Sequence, residues 1–337
     1  MERARKIREK YEKELLKKPN VIGVGVGLKI KGGKVTDEPA IMVYVTRKLP
    51  KEHLSKEELV PEEIEGVKTD VVEVGIIRAL GFQKQVSHED RRKKWRPAPG
   101  GVSIGHFKIT AGTLACKVYD AKYGTPLGLS NNHVLADENR ARIGEPILQP
   151  GPYDGGRLPL DVIGYLYRFV PIRFPGSGKE CEWIVKIGNA IAKLFNLPCE
   201  IKAVYNYVNR VDAAVFKPEK DDWLSDEILE VGKIEDVSSV REGEIVKKSG
   251  RTTGLTYGTV VDTDAKVKVW YDQGIAEFEN QIIVYHTHGQ FSSGGDSGSL
   301  VLDQYNNAVG LLFAGSDKVT VVNNIWDVKK ALNIKFK

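Results

Sequence analysis

The chain has 337 residues, which at roughly 150 residues per domain allows about two domains. Its 41% apolar fraction supplies ordinary cores and excludes a disordered or collagen-like polymer. The net charge of +5, from 50 Lys+Arg against 45 Asp+Glu, is too small and too evenly interspersed to point to a nucleic-acid partner. With 3 cysteines there is no disulfide scaffold, and at least one thiol has no partner within the chain.

The first 18 residues lack the apolar core of a secretory leader and read as a charged amphipathic helix, with Ala4, Ile7, Tyr11 and Leu15 sharing a face. No apolar run approaches the ~18 residues that span a bilayer, so the expectation is a soluble, cytoplasmic chain with no membrane partner. Val21 to Ile30, VIGVGVGLKI, is β-branched and ends at the turn pair Gly32-Gly33. Its glycines do not make a phosphate loop, because no Lys-Ser/Thr pair and no helix follow. Ile41 to Thr46 is a second strand, HLSKEELVPEEIEG carries a short acidic helix, and TDVVEVG supplies a third strand. Residues 1–81 thus read as a small α+β domain without a catalytic-looking cluster.

Residues 82–100, FQKQVSHEDRRKKWRPAPG, are polar, basic and proline-bearing and read as a solvated linker. The Arg91 to Lys94 run also admits a nucleic-acid contact or a cleavage site. From residue 101 onward short β-like runs alternate with Gly, Asp and Asn turns: GTLACKVYD, PLGLSNN, VDAAVF, YGTVVD, QIIVYHTH, GSLVLD and AVGLLFAG. Such spacing indicates a sandwich or barrel rather than βαβ units. Cys181 to Phe195 breaks the pattern, since Trp183, Ile184, Ile187, Ile191 and Leu194 have helical spacing. A helical insertion over about 178–200 follows.

Three local signals carry chemistry. Gly294-Gly295-Asp296-Ser297-Gly298 places a serine on a glycine turn, where Oγ is presented and backbone N–H groups are left to bind an oxyanion. Ser130-Asn131-Asn132-His133 puts a histidine directly after a strand. Val211-Asp212-Ala213-Ala214-Val215 sets a carboxylate in apolar surroundings, which is costly unless it is specifically hydrogen-bonded. Each alone has a structural reading. Together they follow the order His133, Asp212, Ser297, which is that of the β-barrel serine proteases and not of the α/β-hydrolases.

With those motifs, and with KSGRTTGLTYGTV at Lys248 to Val260, residues 101–337 resemble the chymotrypsin-like (trypsin-fold) serine peptidases of the streptogrisin and α-lytic type. The resemblance implies a mainly β region of two packed antiparallel barrels. It also implies Ser297 as nucleophile, His133 as general base, Asp212 as its orienting acid, and an oxyanion hole from the N–H groups of Gly295 and Ser297. Phe291 falls where the primary pocket residue usually sits, with Ala314, Gly315 and Ser316 as a wall. Lys247 and Tyr257 stand where the secreted relatives carry a disulfide, which fits a reducing compartment. Asp296 resembles the aspartate that pairs with a freed N-terminus in zymogen activation. Another cation must pair with it here, and Arg251 is the residue expected by analogy.

Among competing acids, Asp161 in LPLDVIGYL ranks behind Asp212, and Asp137 reads as a loop cap. His286 and His288 share a strand face but are too few for zinc, and no metal or cofactor is expected. Cys181 and Cys199 flank the helical insert as reduced thiols or a pair, and Cys116 reads as core. The expected function is a serine endopeptidase acting on peptide or protein substrates. The alternatives are a protease-fold scaffold or peptide-binding module, and a nucleic-acid-associated protein using RRKKW. Regulation, assisted folding and assembly, including a homo-oligomer, all remain open roles for the N-terminal domain.

Overall fold

A computed structural model describes residues 1–336 apart from 33, 47, 50, 52, 53, 76, 80–88, 175–181, 195–207 and 287–289. The chain is mainly β, with an α+β unit at its N-terminus. The opening helix, Glu2–Lys17, buries Ala4, Ile7 and Leu15 as the apolar spacing requires, and Tyr11 sits at the rim with its hydroxyl donating to Glu65 at 2.8 Å. Arg8 is buried on the same helix and is neutralised by Glu12 at 2.7 Å and by Asp264.

The strand Val21–Lys31 pairs antiparallel with Lys34–Val45, which pairs parallel with Val67–Glu73. The acidic helix expected between them is a single turn, in which Glu58 and Leu59 donate to the Ser55 carbonyl and Ser55 N–H donates to the Glu58 carboxylate. Pro61 has no N–H to continue a helix, and the strand Glu63–Ile64 follows.

The other edge of Val21–Lys31 pairs antiparallel with Gly254–Tyr271, so the N-terminal strands extend a sheet of the C-terminal region. This explains GVGVG. A Cβ at Gly25 would lie 1.6 Å from Asp262 Oδ2, and one at Gly27 would lie 1.9 Å from the Val261 carbonyl oxygen. Only glycine permits that approach of the two strands. Tyr44 seals the contact by donating to Asp262 at 2.8 Å, and Ala40, Met42 and Tyr44 share a core with Val261, Val267, Phe278 and Phe313.

In the C-terminal region the predicted β runs are strands in two sheets. The first includes Ser103–His106, Cys116–Asp120, Pro126–Ser130, Pro146–Leu148, Val162–Phe169 and Ala214–Pro218. In the second, Ile245–Gly250, Leu300–Leu302, Ala308–Gly315, Val319–Asn324, Gly274–Tyr285 and Gly254–Tyr271 pair in that order, and the last pairs back on the first. These pairings run in a ring. The helical insertion is present as Glu182–Leu194, with Ile187 and Ile191 about half exposed (51% and 50%). Cys181 and Cys199 lie outside the described residues.

The basic segment is not a solvated connector over its described part. Arg91 is buried, with Nη1 donating to Ser249 Oγ at 2.8 Å and Nη2 reaching Glu230. Lys94 pairs with Asp161 at 3.0 Å, Lys93 with Asp90 at 2.7 Å, and Arg92 Nε is 3.9 Å from Asp154. Each charge of the run has a carboxylate nearby, which removes the reason to assign it to nucleic acid.

Candidate active site

His133 lies on the short helix Asn132–Leu135, which begins directly after the strand Pro126–Ser130. That helix is fixed by Asp212. Asp212 Oδ1 accepts from the backbone N–H of Asn132 at 2.7 Å and of His133 at 3.3 Å, while Oδ2 takes the ring at His133 Nδ1 at 2.6 Å. Asp212 is fully buried, just before the strand Ala214–Pro218, and its backbone is clamped as well. Its carbonyl accepts from Asn131 Nδ2 (2.7 Å) and Asn323 Nδ2 (3.1 Å), and its N–H donates to Asn323 Oδ1 (3.2 Å). The desolvation cost of the carboxylate is thus met by convergent donors.

A further donor comes from Tyr271, at the end of Gly254–Tyr271, whose hydroxyl reaches Asp212 Oδ2 at 2.8 Å. Burial, and secondly the nearby Asp212 charge, push the phenol well above its usual range, so it stays a donor. Its ring also meets His133 edge-on, with centroids 6.1 Å apart. Nothing in the sequence marks Tyr271, because the contact spans two distant strands.

Ser297 is fully buried on the turn after Gly295, with Gly295 and Gly298 both at φ +94°. Gly298 requires its glycine twice: its φ is left-handed, and a Cβ there would lie 2.2 Å from Ser130 Oγ and from the Thr113 carbonyl oxygen. Thr113 stitches the turn to the first sheet, its N–H donating to the Ser297 carbonyl and its hydroxyl to the Gly295 carbonyl, both at 2.8 Å. A Cβ on neighbouring Gly112 would touch both Val134, the residue after His133, and the Ser297 carbonyl oxygen. The helix of His133 and the turn of Ser297 therefore both approach Gly112. Ser297 Oγ donates to the Phe313 carbonyl at 3.3 Å, and His133 Nε2 is buried with no hydrogen-bond partner among the described residues.

Asp296 is buried beneath the turn. It accepts from the N–H groups of Thr252 (2.8 Å), Thr253 (3.2 Å) and Ser293 (3.0 Å), and from Thr253 Oγ1 (2.6 Å). Its cation is Lys248, 3.6 Å away and fully buried, in place of the expected Arg251. Arg251 turns instead to Asp154, with Nε to Oδ2 at 2.7 Å. Burial lowers the Lys248 ammonium to about 8 against the opposing pull of Asp296. Strand alternation in Ile245–Gly250 offers several residues for that position, and only the packing selects one.

The remaining expected residues fall elsewhere. Asp161 accepts from Arg157 N–H (2.9 Å) and Lys94, away from His133, and Asp137 pairs with Arg140 at 2.7 Å. Phe291 is buried in a cluster with Val246, Val260 and Leu312, and its carbonyl accepts from Thr256 Oγ1 at 2.6 Å. Ala314 and Gly315 lie on Ala308–Gly315, and Ser316 starts the turn to Val319. Cys116 is core, and burial raises its thiol. His286 stacks on Tyr285, while His288 lies outside the described residues, and no group of three potential metal ligands occurs among those described. No helix among the described residues is long and apolar enough to cross a membrane.

Comparison with known proteins finds two matching stretches. Residues 5–77 match the NARROW LEAF 1 N-terminal domain, and residues 207–317, which include Asp212 and Ser297, match Peptidase family S64. Protein NARROW LEAF 1 of Oryza sativa subsp. japonica is 27% identical over 309 residues, covering 83% of this chain and 48% of the relative. The chain thus spans about half the length of that curated relative. Among solved structures, a glutamic acid specific serine protease with a histidine triad in substrate binding has 18% identity and a TM-score of 0.44, covering 71% of this chain and 100% of that one. Nocardiopsis protease (NAPase) has 15% identity and a TM-score of 0.44 over 70% and 97%, respectively. Thermobifida fusca Protease A has 13% and 0.43, over 70% and 96%. The chain thus joins an N-terminal stretch similar to the NARROW LEAF 1 N-terminal domain to a C-terminal stretch similar to Peptidase family S64.

Proposed function

We propose that this protein is a serine endopeptidase using His133, Asp212 and Ser297. The observation that carries the reading is the 2.6 Å contact of His133 Nδ1 with buried Asp212, which leaves Nε2 buried and without a hydrogen-bond partner among the described residues. Nδ1–H donates to the carboxylate, so the neutral ring presents Nε2 as the base. On substrate binding Nε2 takes the Ser297 proton, Oγ adds to the peptide carbonyl, and the imidazolium returns that proton to the leaving amine. Water then repeats the sequence on the acyl-enzyme. The N–H groups of Gly295 and Ser297 stabilise the oxyanion, each such donor being worth about 3 kcal/mol in the transition state. Asp296, held by Lys248, keeps the turn in shape, and Tyr271 positions Asp212. Catalytic hydrogen bonds that are unformed in the free enzyme tighten when substrate binds.

Lys247 faces Tyr257 across the pair of strands, at the position where the secreted resemblances carry a disulfide. This supports a reducing, cytoplasmic setting.

The second reading, a peptide-binding module on a peptidase fold, is favoured by the bond of Ser297 Oγ to Phe313 instead of to His133. Labelling by a fluorophosphonate separates the two. An enzyme is labelled stoichiometrically and Ser297→Ala is not; a folded protein that resists labelling, or a Ser297→Ala variant that is still labelled, refutes the proposal.

A further inference from the structure

The strand Ala308–Gly315 carries the carbonyl that holds Ser297 Oγ, at Phe313, and so its next residues border the reacting serine. An extended peptide is recognised by adding as a strand to such an edge, through main-chain hydrogen bonds. One side of Ala314 and Gly315 is taken by Val321 and Thr320 of the neighbouring strand. The other side is taken by the chain itself. Arg78–Ala79 pairs antiparallel there, Ala79 opposite Ala314 and Arg78 opposite Gly315, and also runs parallel to Gly254–Tyr271 at Trp270.

This segment is anchored from its upstream side. Ile77 is buried in the core that contains Phe313, Ala314 and Tyr271, and its carbonyl accepts from Trp270 N–H at 3.0 Å. Upstream, Glu73 pairs with Lys318 at 2.7 Å. From Ile77 to Ala79 the chain runs antiparallel to Ala308–Gly315, toward the Phe313 end of the edge. We infer that residues 77–79, at the end of the N-terminal unit, occupy the substrate edge as an internal peptide and hold the site self-blocked. The inference rests on the peptidase reading only for its consequence, since the occupied edge is a binding matter. It also gives one of the open roles to the N-terminal unit: control of access.

The occupancy is tested in the full-length chain carrying Ser297→Ala, with a fluorescein-labelled synthetic peptide of the sequence of residues 74–81. Arg78→Pro with Ala79→Pro removes both strand N–H groups while leaving Ile77 in its core. A site open less than about a tenth of the time binds at least ~10-fold more tightly once it is unblocked. Tightening of that size in anisotropy titrations is expected for the proline variant. A pair of glycines at the same positions should fall between it and the parent, and replaces it if the proline variant does not fold. Equal affinities, or no binding by any form, overturn the self-blocked edge. A small fluorophosphonate on the Ser297-containing forms then reads the other question. Absent labelling beside tightened peptide binding refutes the peptidase reading alone, and labelling beside unchanged peptide binding refutes the self-block alone.

Discussion

Tyr271→Phe is the sharpest probe of the proposed triad. It keeps the ring packed against Phe278 and Phe174 and deletes only the hydroxyl that donates to Asp212 Oδ2 at 2.8 Å. Asp212 retains three side-chain acceptor contacts, from His133 Nδ1 and from the N–H groups of Asn132 and His133, so the fold should survive. Hydrogen bonds to charged groups are worth about 1.5–3 kcal/mol, which corresponds to roughly 10- to 100-fold in rate if the loss falls on the transition state. The hydroxyl fixes the direction of the carboxylate that supports the imidazolium, so its removal leaves that cation less well held and the acid limb of the pH profile should move to lower pH. The assay is the second-order rate of fluorophosphonate labelling as a function of pH, which needs no knowledge of the natural substrate. A variant with the wild-type rate and an unmoved limb would refute a positioning role, while a uniform loss with an unmoved limb would mark Tyr271 as structural.

Two further outcomes follow from buried charges. Lys248→Met leaves Asp296 without its cation and with four hydrogen bonds, and should cost about 3 kcal/mol in urea unfolding; a variant as stable as wild type would remove Lys248 from that role. Burial raises Asp262 to about 7, with the backbone N–H of Asp264 and the Tyr44 hydroxyl opposing the rise. Because this lies above the unfolded value of about 3.9, the protonated form favours the fold. The contribution is complete below about pH 4 and is lost as pH rises through about 7. Asp262→Asn should therefore shrink the drop in Tm between about pH 5 and pH 8.5, and parallel melting curves for the two proteins would contradict it.

Local physics made much of this legible. Period-2 alternation and Gly, Asn and Asp turns located strands such as Pro126–Ser130 and Ala308–Gly315, and helical spacing located Glu2–Lys17 and Glu182–Leu194. The turn around Ser297 was readable because left-handed φ at Gly295 and Gly298 demands glycine whatever lies around it. The acidic helix failed because Pro61 and a single self-capped turn outweighed composition.

What the sequence alone determined is therefore local: its strands, its glycine turns, and a histidine, an aspartate and a serine in a telling order. Tertiary structure decided the partners. Tyr271 reaches Asp212 from 59 residues away, Lys248 displaces Arg251 under Asp296, and Arg78–Ala79 lies on the edge beside Phe313. Each depends on which strands neighbour one another and in what register, and a one-residue slip would turn Tyr271 and Lys248 to the opposite face. That register is set by the packing of the whole sheet, in which the N-terminal strands and the peptidase-like strands are continuous.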